Sequence, residues 1–340
     1  MPSVTGKILA PFCALLVAAC ARSPQELELS GPTMGTTYTV KVAAPPASLD
    51  SAQLRATIDD VLAHIDQSMS GYRPDSEVAR FNASAATQWY EVSPDLAALV
   101  QAALEISEKS GGAFDITVAP LVTAWGFGPS GEPKVLPNAA ELEQIAASVG
   151  YRKLHVRLAP PALRKEVAQL SIDLNGIAPG FAVDQLADRL LALHAENFMI
   201  DIGGEIRARG RSARGEPWHI AIERPVDTQR APYAGVWLDS ASVSTSGEYR
   251  DYYERDGRRY SHTIDPRTRQ PLERAPGSVV VIASSTALAD GWATALNVLG
   301  PHDGLALASK EHIAVLFIER AGDGWRSQST AEFERYRLKE

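Results

Sequence analysis

The sequence predicts an α+β fold of mixed and antiparallel sheets with flanking helices. Three observations point there. Short alternating apolar runs separated by glycine turns dominate residues 200–282. Longer stretches with helical periodicity lie on either side of them, and no fixed-period repeat appears. Asp256-Gly257 between two alternating runs is a strong hairpin signal.

Element by element, residues 30–42 alternate as a strand until Pro45-Pro46 breaks it. Residues 49–68 carry helical periodicity through Leu54, Ile58, Val61, Leu62 and Ile65. A polar loop from Tyr72 leads to a short helical turn ending near Asn82. Ser93-Pro94 opens a helix that Gly111-Gly112 stops. The apolar, glycine-punctuated stretch 112–129 is too irregular for one plain element. A loop follows, Asn138 caps a helix, and residues 154–156 begin a strand. Residues 170–174 read as a strand, 175–180 as a glycine loop and 181–194 as a helix. Strands are expected at 198–202, 205–209, 218–222, 236–238 and 278–282. A helix spans 286–299 and ends at Gly300-Pro301, and a late strand covers 313–317.

The N-terminus reads as a targeting segment. Lys7 precedes an apolar run over 8–19 that is too short to span a bilayer, which takes about 20 apolar residues. Val17-Ala18-Ala19-Cys20 resembles a bacterial lipobox. Residues 1–19 are then a lipoprotein signal peptide, Cys20 is acylated, and 20–30 form a lipidated tether. An ordinary signal peptide with an unrelated Cys is the alternative. Cys13 and Cys20 are the only cysteines, so thiol catalysis and Cys-ligated metals are excluded from the folded body. A net charge of −8 argues against nucleic-acid binding and leaves phosphate ligands open.

The common chemical signatures are missing: no P-loop, no H-E-x-x-H, no G-x-S-x-G and no G-x-G-x-x-G between strand and helix. A two-residue loop at Asp256-Gly257 pairs Arg255 with Arg258, Glu254 with Arg259, Tyr253 with Tyr260 and Asp251 with His262. A carboxylate beside an imidazole orients it and raises its basicity. The hairpin is either a catalytic platform or a surface hairpin with a solvated His. Asp290 and Thr294 fall at i and i+4 of a predicted helix, hence on one face. Such oxygen ligands suit Mg²⁺, although the same spacing describes any solvated helix face. The run Asp173-Leu-Asn-Gly176-Ile-Ala-Pro-Gly180 leaves a strand and enters a helix. It could aim amides at an anion and carbonyls at a cation, or be an ordinary connection. Phe114 in a close-approach loop reads as a stacking ring or as core, and Tyr72 as a ligand contact or an exposed aromatic.

Taken together, GPTMGTTY, MSGYRPDSEVARFN, GGAFDITVAPLVTAWGFGP, SIDLNGIAPGFAVD, DIGGEIRARG, STSGEYRDYYERDGRRYSHTIDPRTRQP and TALADGWATALNVLGP resemble the ApbE family of FAD:protein FMN transferases. The resemblance implies one domain over 31–325, with FAD in a cleft between two intimate subdomains. It implies a periplasmic, Mg²⁺-dependent enzyme, often lipid-anchored and at the inner membrane by analogy. Such an enzyme splits the FAD pyrophosphate and joins FMN to a Thr (sometimes Ser) hydroxyl of a target protein, releasing AMP. Its targets are proteins of membrane electron-transfer complexes. By position, Asp290, Thr294 and the Gly176 carbonyl match metal ligands. Met34, Tyr72, Ala113, Phe114, Asp115, Asp173, Pro179 and Ile264 match positions lining the FAD site. His262 matches the histidine near the transferring phosphate. Many relatives carry Lys at the position of Pro179, which has neither charge nor N–H. The expected mechanism has His262, oriented by Asp251, taking the acceptor proton, with amides of 244–247 steadying the pyrophosphate. An Mg²⁺-dependent FAD pyrophosphatase and a non-catalytic flavin-binding lipoprotein are the alternatives.

Overall fold

Eight strands, every neighbouring pair antiparallel, form the sheet around which the chain is built. The computed structural model describes residues 26–226, 231–247, 252–273 and 277–338. The expected leader, Cys20 and Asp251 lie outside the described residues.

In chain order, β1 (Glu26–Thr33) and β2 (Thr36–Ala43) form a hairpin, followed by α1 (Ser51–Met69) and α2 (Glu77–Ala83). β3 (Tyr90–Glu91) and α3 (Pro94–Lys109) come next, then a 3-10 turn, α4 (Ala119–Ala124) and α5 (Ala139–Ala146). β4 (Leu154–Leu158) and β5 (Pro161–Lys165) join β3 in a small sheet, and α6 (Ala178–Ala192) follows. β6 (Phe198–Ile202), β7 (Glu205–Arg209), β8 (Trp218–Glu223), β9 (Pro232–Leu238) and β10 (Ala241–Ser246) lead to two short hairpins. These are β11 (Tyr252–Arg255) with β12 (Arg258–Ser261), and β13 (Ile264–Asp265) with β14 (Gln270–Pro271). β15 (Ser278–Ala283), α7 (Thr286–Lys310), β16 (Ala314–Ala321), β17 (Gly324–Ser329) and α8 (Ala331–Glu334) complete the chain. The main sheet has the order β1-β2-β6-β7-β10-β15-β16-β17.

Local chemistry explains the helix ends. Asp50 accepts from the Gln53 N–H, Ser93 from the Leu96 N–H, and Asn138 closes a capping box with Glu141. Period-two alternation builds the two sides of the sheet. In β15, Val279 and Val281 enter the main core, while Val280 and Ile282 enter the cluster on the opposite face. The main core packs Leu54 and Ile58, Leu96 and Val100, Leu186 and Leu296 from four helices against that sheet. Full burial of each such side chain is worth ~1.5–3 kcal/mol. The opposite face holds the β8–β9 hairpin and Phe333, and a satellite cluster joins Leu121, Trp125 and Leu142 to Tyr260 and Ile264.

Several expectations need correcting. The strand expected over 30–42 is a hairpin turned at Met34-Gly35, because both residues take positive φ, 46° and 73°. Residues 26–30, expected as tether, pair in that hairpin. The domain runs past residue 325, since β17 and α8 pack on it and Arg337 bridges to Val236. Residues 170–174 bury Leu170, Ile172 and Leu174 in alternation yet join no sheet among the described residues. No strand is expected at 241–246, yet these residues form the central strand β10, whose Ser242 and Ser244 are buried. Gly300 breaks the late helix as expected (φ 73°, ψ 173°), but a further helical run continues to Lys310.

Candidate functional site

Between the main core and the satellite cluster lies a cavity of about 520 Å³. Tyr72, Ala113, Phe114, Asp115, Asp173, Gly176, Pro179, His262, Ile264, Asp290 and Thr294 all line it. Met34 does not, because the β1–β2 turn carries it to the edge of the sheet, where it is 39% exposed.

One wall is helical. Asp290 and Thr294 project from α7 as their spacing required. Ser285 caps that helix, and the Asp184 carboxylate of α6 accepts from the Thr286 and Ala287 N–H groups at 2.9 and 3.0 Å. Gly180 brings α6 against α7: a Cβ there would lie 2.5 Å from the Thr286 carbonyl oxygen. The Gly180 N–H donates to Asp290 Oδ2 at 3.1 Å. Gly176 packs on Thr294, whose Oγ1 lies 3.1 Å from the place a Cβ would take. Pro179 falls in the first turn of α6, where a missing N–H costs nothing.

A second wall comes from loops. Asp115 caps the 3-10 turn and is committed to structure. Its Oδ1 accepts from Thr117 N and Oγ1, and its Oδ2 from Tyr151 N at 2.8 Å. Burial, only partly offset by these bonds, pushes its carboxyl above the usual range. Phe114 is both core and wall, 4% exposed with its ring beside Gly176. The Asp173 N–H donates to the Ile116 carbonyl at 2.7 Å, and Asp173 Oδ1 accepts from the Asn175 N–H at 2.8 Å. Burial raises the Asp173 carboxyl too, against hydrogen bonds from Asn175 and the nearby charge of His262. Tyr72 is 58% exposed and donates to the Phe127 carbonyl at 3.2 Å.

The third wall is the open end of the β11–β12 hairpin. Its register is the expected one, Tyr253 opposite Tyr260 and Glu254 opposite Arg259. The two tyrosine rings stack at 5.1 Å and 15°. His262 follows β12, with Nε2 3.4 Å from Thr263 Oγ1, and Thr245–Gly247 line the same cavity.

Sequence reasoning missed Glu205, which follows the Gly203-Gly204 turn into the same cavity. Its Oε1 accepts from Ser244 Oγ at 3.4 Å. Burial pushes its carboxyl well above normal, and the charge of Asp290 adds to the rise. Burial likewise pushes Asp290 up to about 7. The Gly-Gly-Glu turn after an alternating strand was the available signal.

Among the described residues no three His, Cys, Asp or Glu side chains gather as a metal cluster. A cation here would use one carboxylate, one hydroxyl and one backbone carbonyl. That all-oxygen set fits Mg²⁺, which keeps its remaining positions for water and phosphate. Two buried carboxylates at the cavity fit a cation as well: burial raises both Glu205 and Asp290, and the charge of Asp290 adds to the rise at Glu205, a cost that a cation would offset.

With that geometry in place, the comparisons are specific. Residues 34–317 match the ApbE family. The chain is 41% identical to the FAD:protein FMN transferase of Vibrio cholerae over 320 residues, 94% of this chain and 95% of that one. It is 38% identical to the protein of that name from Haemophilus influenzae, covering 98% of each. Among solved structures, flavin transferase ApbE from Vibrio cholerae superposes with a TM-score of 0.85 at 39% identity, over 92% of this chain and 99% of that one. The apo flavinyl transferase ApbE of Pseudomonas stutzeri gives 0.84 at 42% identity, over 92% and 97%.

Proposed function

The chain belongs to the ApbE family, and from that premise we propose that it transfers FMN from FAD to a hydroxyl of a target protein. The observation that carries the reading is the single cavity into which α6, α7, the Phe114 loop and the hairpin all deliver residues. A dinucleotide is long and carries its charge in the middle. This cavity has apolar walls at Phe114, Val118, Val122 and Phe127, and an oxygen-rich floor at Asp290, Thr294 and Gly176.

In this reading Asp290, Thr294 and the Gly176 carbonyl hold Mg²⁺. When bound there, the ion supplies charge neutralisation at the pyrophosphate oxygens, where phosphoryl transfer needs it most. The chain's own residues do the rest. Tyr72, Phe114, Asp173 and Ile264 fix the FAD. The backbone of Thr245–Gly247, which lines the same cavity as His262, steadies the phosphates. His262 takes the proton of the incoming Thr or Ser hydroxyl as its oxygen bonds to the FMN phosphorus. The bond from that phosphorus to the bridging oxygen breaks, and AMP leaves. General-base help of this kind is worth ~10²–10⁴ in rate. The pairing of Asp251 with His262 expected from the sequence would orient the ring.

The targets are Thr-bearing proteins of membrane electron-transfer complexes, and the site of action is the periplasmic face of a bacterial membrane. Cys20 after Val17-Ala18-Ala19 supports a lipid anchor. No helix among the described residues is long and apolar enough to cross a membrane, so the anchor is what would hold the protein there. A Cys20→Ser change should move the protein from the membrane fraction to the soluble one, and unchanged fractionation defeats that part of the reading.

The test of the main reading is incubation with FAD, Mg²⁺ and a Thr-containing periplasmic acceptor domain, followed by a gel viewed by flavin fluorescence. A fluorescent acceptor band supports transfer. Free FMN without a band makes the protein a pyrophosphatase, and intact FAD makes it a binder.

A further inference from the structure

Residues 170–174 alternate like a strand and are buried like one, yet among the described residues they pair with no strand. Buried backbone groups need partners, so their hydrogen bonds must go elsewhere. The Asn82 side chain, at the end of α2, takes both backbone groups of Ile172. Its Oδ1 accepts from the Ile172 N–H at 2.8 Å, and its Nδ2 donates to the Ile172 carbonyl at 2.8 Å. One amide side chain thus replaces a neighbouring strand. Lys165 closes the same junction. It is 1% exposed, and its Nζ donates to the Leu170 carbonyl at 3.0 Å and to the Phe81 carbonyl at 3.2 Å. It also reaches the Asn82 carbonyl at 3.4 Å. The ammonium therefore caps the C-terminal end of α2 and ties it to residue 170.

Neither side chain lines the cavity. Their partners lead straight into it. Asp173 follows Ile172 and hydrogen-bonds the Ile116 carbonyl, next to Phe114 and Asp115. Gly176 lies three residues further on, against Thr294. On the other side, α2 continues from the loop that carries Tyr72. The clip thus joins α2 to the segment that leads to Asp173 and Gly176, and Asp173 in turn bonds the loop that carries Phe114 and Asp115.

We propose that Asn82, backed by Lys165, is a positioning residue for the cavity, fixing the segment that presents Asp173 and the Gly176 carbonyl. The proposal rests on the reading of the cavity as an FAD and Mg²⁺ site. A side chain that orients ligand-bearing groups without touching the ligand commonly costs about 10–100-fold in metal affinity or activity when removed.

The experiment compares the wild-type protein with Asn82→Ala, Asn82→Asp and Lys165→Met. FAD binding is followed by quenching of flavin fluorescence, and Mg²⁺ binding by thermal shift in a metal titration. Circular dichroism reports the fold. Asn82→Asp keeps an acceptor for the Ile172 N–H and loses the donor to the Ile172 carbonyl. Lys165→Met keeps an unbranched apolar side chain of similar length and loses the ammonium that bonds the Leu170 and Phe81 carbonyls and lies over the Phe81 ring. With a native dichroism spectrum, Asn82→Ala should weaken FAD binding and raise the half-saturating Mg²⁺ by about tenfold. Asn82→Asp should follow it, and Lys165→Met should shift both the same way by less. A variant that only melts earlier, with FAD and Mg²⁺ affinities within twofold of wild type, makes the clip merely structural and overturns the proposal. If Asn82→Ala does not fold, the other two variants carry the same comparison. Wild-type protein that binds FAD and Mg²⁺ but labels no acceptor defeats the transferase reading and leaves the clip to stand or fall by its variants.

Discussion

Asp290 and Thr294 reach the cavity from inside the core, whereas His262 reaches it from the end of a surface hairpin. The two walls are held by different physics. The helical wall depends on close backbone approach: Gly180 against Thr286, and the Asp184 carboxylate gripping the first turn of α7. The hairpin wall depends on side chains laid over one another. Tyr253 and Tyr260 stack together, Trp125 lies 5.9 Å from Tyr260, and Phe127 lies 5.2 Å from Tyr253. The Tyr253 hydroxyl donates to the Trp125 carbonyl at 2.9 Å, and the Trp125 Nε1–H to the Arg269 carbonyl at 2.9 Å. In the proposed reading, the cation is held where the chain is least able to yield, and proton transfer falls to the wall built from stacked side chains.

If that division is right, damage to the helical wall should remove metal dependence and stability, while damage to the hairpin should cost rate. The largest effect belongs to Asp290→Ala, which should abolish Mg²⁺-dependent flavin transfer while circular dichroism stays native. In wild type, Mg²⁺ should also raise the melting temperature, as any ligand of the folded state does, and it should do so no longer in the variant. Appreciable transfer by Asp290→Ala would break the assignment of this wall. His262→Ala comes next, slowing transfer by ~10²–10⁴ with FAD affinity nearly kept. An affinity collapse with unchanged turnover per bound FAD would instead make His262 a binding group. Gly180→Ala sets a Cβ 2.8 Å from the Ala287 Cα, and overpacking of this kind costs about 1–3 kcal/mol. Chemical denaturation measures it, and a change near zero would show that the helices can part freely. The smallest effect is Tyr253→Phe, which loses one hydrogen bond worth ~1 kcal/mol. Transfer by that variant should stay within a few-fold of wild type. A large rate loss would mean that the stack itself sets the position of His262.

Much of this was legible before folding. Asp290 and Thr294 share a face because a helix repeats every 3.6 residues. The hairpin register followed from Asp256-Gly257, and Ser93, Asn138 and Gly300 mark helix boundaries by their own chemistry. Residues 170–174 misled because their alternation reports burial and not pairing: Asn82 and Lys165 supply the partners a strand would have supplied. β10 escaped notice because serines that face a helix, as Ser242 faces Thr286 at 2.9 Å, look like loop residues in sequence. Glu205 escaped because a carboxylate after a tight turn is ordinarily solvated. Lys165 would be placed on the surface by any scale, and three carbonyl oxygens keep it inside.

The sequence by itself determined the local pieces: which stretches coil or extend, where they stop, and which residues share a face within one element. Those depend on short-range sterics and hydrogen bonds, which the neighbouring residues carry with them. Only the tertiary structure decided that the turn at Gly176, the α7 carboxylate and the hairpin histidine line one cavity. It also decided that an asparagine far along the chain takes the place of a strand. Such meetings depend on how whole layers pack, and no single stretch of chain encodes them.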